Sequence, residues 1–190
     1  MHRFLIASIL FGVVLISSST SAGEHGSAYR FDRSPDALVI DYYVMSTWLL
    51  PPEPMKRIQI YGDGKTLVHV RTGDLAGSYE STIEEAELQE LLAYLETNHL
   101  LTASNESLEQ GMRQAGHRGA MADGGIYHLR LFLDGTPAEP NTKVRRDIRM
   151  RNLPQWAEKY PEVSELQGIS RCITRLRAYL ELVARKGSNP

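Results

Sequence analysis

The segment KRIQIYGDGKTLVHVR, residues 56–71, decides how the chain folds. Two runs that alternate apolar and polar residues, Lys56–Tyr61 and Thr66–Arg71, flank the four residues GDGK. An Asp-Gly pair between such runs favours a tight turn, because glycine adopts a positive φ without strain and aspartate bonds to its own backbone. The segment therefore predicts a β-hairpin whose two isoleucines lie on one face.

Three further runs have the composition or the alternation of β-strands. They are Ala37–Val44, Ile126–Leu133 and Val144–Met150. Together with the hairpin they predict about five strands in a single antiparallel sheet.

Two segments predict amphipathic helices, and both open on a sequence of capping-box form, at Thr82 and at Ser164. Their apolar stripes are Leu88, Leu91, Leu92 and Leu95 in the first helix, and Leu166, Ile169, Ile173, Leu176, Leu180 and Val183 in the second. Asn98 suits a left-handed cap after the first helix. The order βββ-α-ββ-α indicates an α+β fold with both helices on one face of the sheet. The segment 111–125 holds five glycines and predicts a mobile loop.

Residues 1–22 are typical of a secretory signal peptide, with a positive start, an apolar run and a tail of small residues. The apolar run of about 13 residues is shorter than the ~20 that a transmembrane helix needs, although a retained anchor is the alternative. We therefore expect a secreted or periplasmic protein whose mature chain has no transmembrane segment. Residues 23–35 are expected to form a flexible arm, 36–186 a single domain and 187–190 a tail.

The composition is that of an ordinary globular protein, with 42% hydrophobic and 23% charged residues. It excludes collagen-like and wholly disordered classes. The net charge of −2 argues against nucleic acid as a partner. The single cysteine, Cys172, cannot form an intramolecular disulfide and is expected to be a buried apolar residue, with pairing between two chains as the alternative.

The stretch from Ile58 to Leu101 resembles a loose group of uncharacterised exported bacterial proteins. The matching features are Tyr61-Gly62-Asp63-Gly64, the pairs Leu91-Leu92 and Leu100-Leu101, and Asp123 before the next strand. The chain departs from the pattern at Asn98, where such helices often end on glycine. The resemblance implies an exported α+β domain and supplies no reaction.

The familiar catalytic patterns are missing from the sequence, including the nucleophile elbow, the phosphate loop, the dinucleotide fingerprint and the zinc-protease helix motif. We therefore predict no catalytic residue and no cofactor. His117, Asp123 and His128 lie within twelve positions and could hold a metal if the loop folded back. A small metal-assisted hydrolase is thus the enzymatic alternative.

Charge is distributed unevenly along the chain. Residues 23–140 contain 9 Lys and Arg against 18 Asp and Glu, whereas residues 141–190 contain 11 against 5. If the helices cover one side of the sheet, its other side should carry Arg130, Arg145, Arg149, His128 and Tyr61. Arginine forks suit carboxylate, sulfate or phosphate, so this face could bind an anionic glycan, a peptide terminus or a partner protein.

The alternative for these arginines is a solvated face on which they pair with the acidic first half of the chain. In either case we expect replacement of Arg130 and Arg149 by Gln to leave the fold intact. The sequence thus favours an exported, non-enzymatic binding domain whose ligand it does not identify. A structural component of the cell envelope is a further alternative, and the seam of the last helix could instead support a dimer.

Overall fold

A computed structural model describes residues 28–46, 53–117 and 124–187 of the chain. These residues form an α+β domain with one antiparallel sheet in the order β4-β3-β2-β1-β5-β6. The strands are β1 Leu38–Met45, β2 Pro54–Tyr61, β3 Lys65–Val70, β4 Gly77–Thr82, β5 Ile126–Leu133 and β6 Val144–Arg151. The helices are α1 Glu85–Thr97, α2 Asn105–Gln114, α3 Leu153–Lys159 and α4 Ser164–Gly187. The predicted fold class is confirmed, with one more strand and two more helices than expected.

The hairpin predicted from residues 56–71 is formed by β2 and β3. Gly64 has a φ of 87°, and its N–H donates to the Tyr61 carbonyl oxygen over 3.0 Å. The Asp63 carboxylate accepts from the Lys65 N–H at 2.9 Å, as expected for an aspartate that bonds to its own turn. A side chain at Gly62 would meet the Asp32 backbone, so this glycine allows the N-terminal segment to lie against the turn.

Residues 28–35, which belong to the predicted flexible arm, are held on the domain. The Gln89 side chain in α1 accepts from the Tyr29 N–H and donates to the Tyr29 carbonyl oxygen, each over 2.9 Å. The Tyr29 ring is buried, and Arg30 forms an isolated bridge with Gly135. The buried Tyr29 ring thus attaches this segment to the core. The polar composition of residues 23–35 did not predict this contact. The predicted signal peptide lies outside the described residues.

The core lies on one face of the sheet, where apolar side chains alternate along the strands as predicted. Ile40, Ile58 and Leu131 are examples, and all are fully buried. Buried residues from all four helices join them in a single cluster, which includes both predicted apolar stripes in full. Within the described residues, no helix combines the length and the apolar character that a membrane span requires.

Details of the helix ends differ from the predictions. Thr82 belongs to β4, and α1 begins after Glu84, whose side chain makes no capping hydrogen bond. The left-handed residue after α1 is His99, with φ 67°, whereas Asn98 has φ −99°. Asn98 instead donates from its side chain to the Tyr94 carbonyl oxygen over 2.8 Å, which satisfies a carbonyl near the end of the helix without a left-handed backbone.

Part of the segment predicted as a glycine-rich loop is helical. Gly111 lies inside α2, which is nucleated by a reciprocal capping box between Ser104 and Ser107. Leu108 and Met112 bury one side of this helix in the core. Residues 118–123 of the predicted loop lie outside the described residues.

Cys172 is fully buried in α4, as expected from its place beside the apolar stripe. Burial raises the pKa of its thiol to about 12. The thiol therefore stays protonated in the folded protein at neutral pH.

Strand β6, at the edge of the sheet, is bound by the Asn105 side chain of α2 and by the backbone of the segment between α1 and α2. The Asn105 amide donates to the Asp147 carbonyl oxygen over 3.1 Å and accepts from the Arg149 N–H over 2.8 Å. Arg146, at a position on the apolar face, donates from Nε to the Leu101 carbonyl oxygen over 2.6 Å. One side-chain amide thus makes the pair of bonds that a further strand would make.

Replacement of Asn105 by Ala should lower the free energy of unfolding by about 1 kcal/mol, because two edge hydrogen bonds are lost. Urea unfolding measures this as a lower midpoint with an unchanged slope. Gln110→Ala, at an exposed position of the same helix, is the control. Equal midpoints for the two variants would contradict the role assigned to Asn105.

Candidate functional site

The sheet face turned away from the helices, termed the outer face below, carries the polar positions of the strands. The predicted site residues Arg130, Arg145, Arg149 and His128 all alternate onto this face. Tyr61 lies at its turn end, with the Lys65 ammonium 4.7 Å from the centroid of its ring. The structure therefore places the predicted residues on one surface. They differ in their contacts, since some have carboxylate partners and others do not.

A buried carboxylate lies at the centre of the outer face. Asp41 in β1 is 0% exposed, and two arginines from the neighbouring strands converge on it. Arg57 donates from Nε and Nη2 over 2.9 and 3.1 Å. Arg130 donates from Nε over 3.1 Å and also from Nη2. The hydrogen bond to Asp41 raises the pKa of Arg130. A fully buried carboxylate needs such charged donors, because an unpaired charge in this position is strongly destabilising.

Neither Asp41 nor Arg57 was among the predicted site residues. The available signal was a charge inside the apolar run ALVIDYYV, residues 37–44, since a strand interior rarely carries an unpaired aspartate. The identity of its partners depends on strand order, which a local pattern does not contain.

An aromatic pair lies beside this carboxylate. The rings of Tyr43 and His128 stack at 4.5 Å with 14° between their planes, and the tyrosine hydroxyl is 3.0 Å from Nδ1 of the histidine. Arg57 and Arg130 lie 5.5 and 5.7 Å from the centroid of the Tyr43 ring. Burial and the charges of Arg149 and Arg130 lower the pKa of His128, against the opposing effect of nearby carboxylates.

Directly paired residues on the outer face form rows that run across the strands. The lateral row consists, from β6 to β4, of Arg149, His128, Tyr43, Arg57, His69 and Ser78. The adjacent row, termed the acidic row, consists of Asp147, Arg130, Asp41, Gln59, Leu67 and Glu80. The two rows are two residues apart along each strand, or about 7 Å. The lateral row contains no carboxylate.

The predicted arginines differ in whether a carboxylate of the protein already neutralises their charge. Arg145 lies 3.6 Å from Asp134 and also donates to the Leu133 carbonyl oxygen, with Phe132 beneath its guanidinium. Arg149 is exposed, and within the described ranges its guanidinium has no salt bridge. Arg149 is therefore the predicted arginine whose charge remains available to a ligand.

The predicted metal ligands do not come together in the part of the chain that the structure describes. His117 packs edge-on against Trp156 and lies 3.2 Å from the Tyr160 hydroxyl. His128 stacks on Tyr43 at the outer face, and Asp123 lies outside the described residues. Among residues 28–46, 53–117 and 124–187, no three His, Cys, Asp or Glu side chains are grouped as a metal site would require.

No protein-family model and no curated protein matches this chain. The similarity of its YGDG hairpin to a group of exported proteins therefore stays a prediction. The outer face is the feature of the described structure from which a function can be proposed.

The ion pair at Asp41 changes the expectation for arginine substitutions. Arg130→Gln should lower the free energy of unfolding by about 2 kcal/mol, because it removes one of two charged partners from a buried carboxylate. Arg149→Gln should change it by less than about 0.5 kcal/mol, as is usual for an exposed residue without a charged partner. Urea unfolding of the two single variants measures both values. Equal stability of both variants would show that Asp41 does not depend on Arg130.

Stability should also fall on mild acidification because of His128. Its pKa in the folded protein lies below the ordinary value of 6.5, so the unfolded chain takes up a proton first. The contribution of His128 is therefore fully present above about pH 6.5 and is lost as the pH falls from there toward the folded pKa. Unfolding free energies at pH 7.5 and 5.5 should differ less in His128→Gln than in the unaltered protein. The exposed His69→Gln is the control, and an unchanged pH dependence in His128→Gln would contradict this assignment.

Proposed function

We propose that this protein is an exported, non-enzymatic binding domain that recognises an anionic ligand on its outer face. The export part of the proposal rests on the signal-like residues 1–22. The binding part rests on one observation: Arg149 is exposed without a salt bridge in the described part of the chain, directly opposite His128. An arginine without a salt bridge can form charge-assisted hydrogen bonds to an anion, and the neighbouring imidazole can supply a further hydrogen bond.

The charge balance of the outer face supports this proposal. The basic residues of this face are Arg57, Lys65, Arg130, Arg145, Arg149 and Arg151, and the acidic ones are Asp41, Glu80 and Asp147, with Asp134 beside Arg145 at its end. A positive excess therefore collects on one surface of a chain whose net charge is negative. Such local fields attract anions although the whole protein carries the same sign as the ligand.

The ion pairs of Asp41 with Arg57 and Arg130 also support binding. Asp41 holds the Arg57 and Arg130 guanidiniums in fixed orientations, yet each uses only two donor atoms for the carboxylate. A guanidinium has five N–H donors, so each arginine keeps donors for another acceptor. Both side chains remain 32% exposed. Donors fixed in this way lose little conformational entropy when a ligand binds.

The proposal predicts that the protein is retained on a cation exchanger above its isoelectric point, through this face. Arg149→Gln should elute at clearly lower salt than the unaltered protein, because it removes an exposed charge that has no salt bridge in the described part of the chain. Arg185→Gln, at an exposed position near the end of α4, changes the net charge by the same amount and should elute nearly unchanged. Equal shifts in the two variants would mean that retention follows net charge, and the proposal would fail.

A further inference from the structure

We propose that the anionic ligand is an extended acidic polypeptide segment that lies along the lateral row, across the strands. This inference rests on the proposed function and specifies the ligand class and its direction on the sheet. Three features of the outer face support such a ligand: the distribution of charge between the two rows, the spacing of the arginines and the neighbours of the aromatic rings.

The distribution of charge selects the lateral row. The carboxylates of the outer-face strands, Asp147, Asp41 and Glu80, all lie in the acidic row, where they repel an anion. Asp41 also neutralises part of the charge of Arg130 and of Arg57. The lateral row has Arg149 at one end and Arg57 toward its middle, with the stacked His128 and Tyr43 between them. Along the lateral row an anion chain meets Arg149, the two uncharged rings and Arg57. Arg57 keeps part of its charge, because it shares the single carboxylate of Asp41 with Arg130.

The distance between the two arginines suits an extended peptide. Arg149 and Arg57 are three strand spacings apart, which corresponds to about 14 Å between their backbone positions. In an extended peptide, side chains on one side recur every second residue, and residues i and i+4 are about 13 Å apart. Acidic residues at i and i+4 would therefore lie over the two arginines, and an acidic residue at i+2 would lie between them.

The chemistry of the arginines favours carboxylates. Arg57 already holds one carboxylate, that of Asp41, by a two-point contact, which is the pairing that guanidinium geometry prefers. Its remaining donors belong to a side chain that is 32% exposed. Asp41 acts here as a positioning residue, since it orients Arg57 without touching the ligand.

The aromatic rings argue for a peptide over an acidic polysaccharide. Tyr43 contacts His128 and two guanidiniums. The Arg145 guanidinium lies 5.6 Å from the centroid of the Phe132 ring, and the Lys65 ammonium lies 4.7 Å from that of Tyr61. Each of these rings thus already has a cationic or aromatic neighbour, which leaves less open ring surface for a sugar to stack on. Recognition then depends on charge and spacing.

The test compares two synthetic peptides of identical composition and charge by calorimetric titration at low salt. One places Glu at i, i+2 and i+4 between Ser residues, and the other has the three Glu consecutive. The spaced peptide should bind at least tenfold more tightly, because only it can reach both arginines from one side.

Protein variants identify the row. Arg149→Gln should weaken binding of the spaced peptide about tenfold, and Arg57→Lys should weaken it less, because lysine keeps the charge beside Asp41 but loses the fork. Arg145→Gln, on the same strand and face, should weaken binding much less than Arg149→Gln, because Arg145 lies outside the lateral row and is already paired with Asp134. Thermal unfolding of each variant confirms that the fold is kept.

The outcomes separate the two proposals. Equal binding of both peptides, or equal losses in Arg149→Gln and Arg145→Gln, would overturn the lateral row while an anion-binding face remained. Binding of polygalacturonate without binding of either peptide would overturn the ligand class. Failure of all three polyanions to bind would overturn the proposed function as well.

Discussion

The fold depends on how one buried charge is accommodated. Asp41 lies in β1, the strand that joins the meander of β2, β3 and β4 to the β5–β6 pair. Its carboxylate is bound by Arg57 from one neighbouring strand and Arg130 from the other, so a single ionic group ties three central strands together. Because a buried carboxylate without these partners is costly, strand orders that separate β1 from β2 or β5 are disfavoured. The loss of either arginine is therefore expected to disturb the arrangement of the central strands.

The same arrangement links architecture to function. Arg57 and Arg130 bind the buried carboxylate of Asp41. Arg149 lies on the same face and has no salt bridge in the described part of the chain. The outer face is therefore not a uniform basic surface. The carboxylates of its strands lie in the acidic row, and the unpaired Arg149 lies in the lateral row. Under the proposed function, this difference would set the position and the direction of the ligand.

The sequence predicted the features that depend on residues close together along the chain. The YGDG turn and the leucine stripe of α1 could be read from residue spacing, because they need only neighbours along the chain. Strand β4 was missed because its sequence, GSYEST, has little apolar alternation, and it forms by pairing with β3. Helix α2 was missed because its capping box uses two serines. The Asp41 site could not be assembled from sequence, because its partners come together only when three strands are in order.

The buried thiol of Cys172 has a consequence for following the protein in solution. It is the chain's single cysteine, lies at 0% exposure in α4 and packs among the residues that join the helices to the sheet. An alkylating reagent can reach it only when that part of the core opens. Its modification under native conditions therefore reports the opening of this part of the core, without any engineered label.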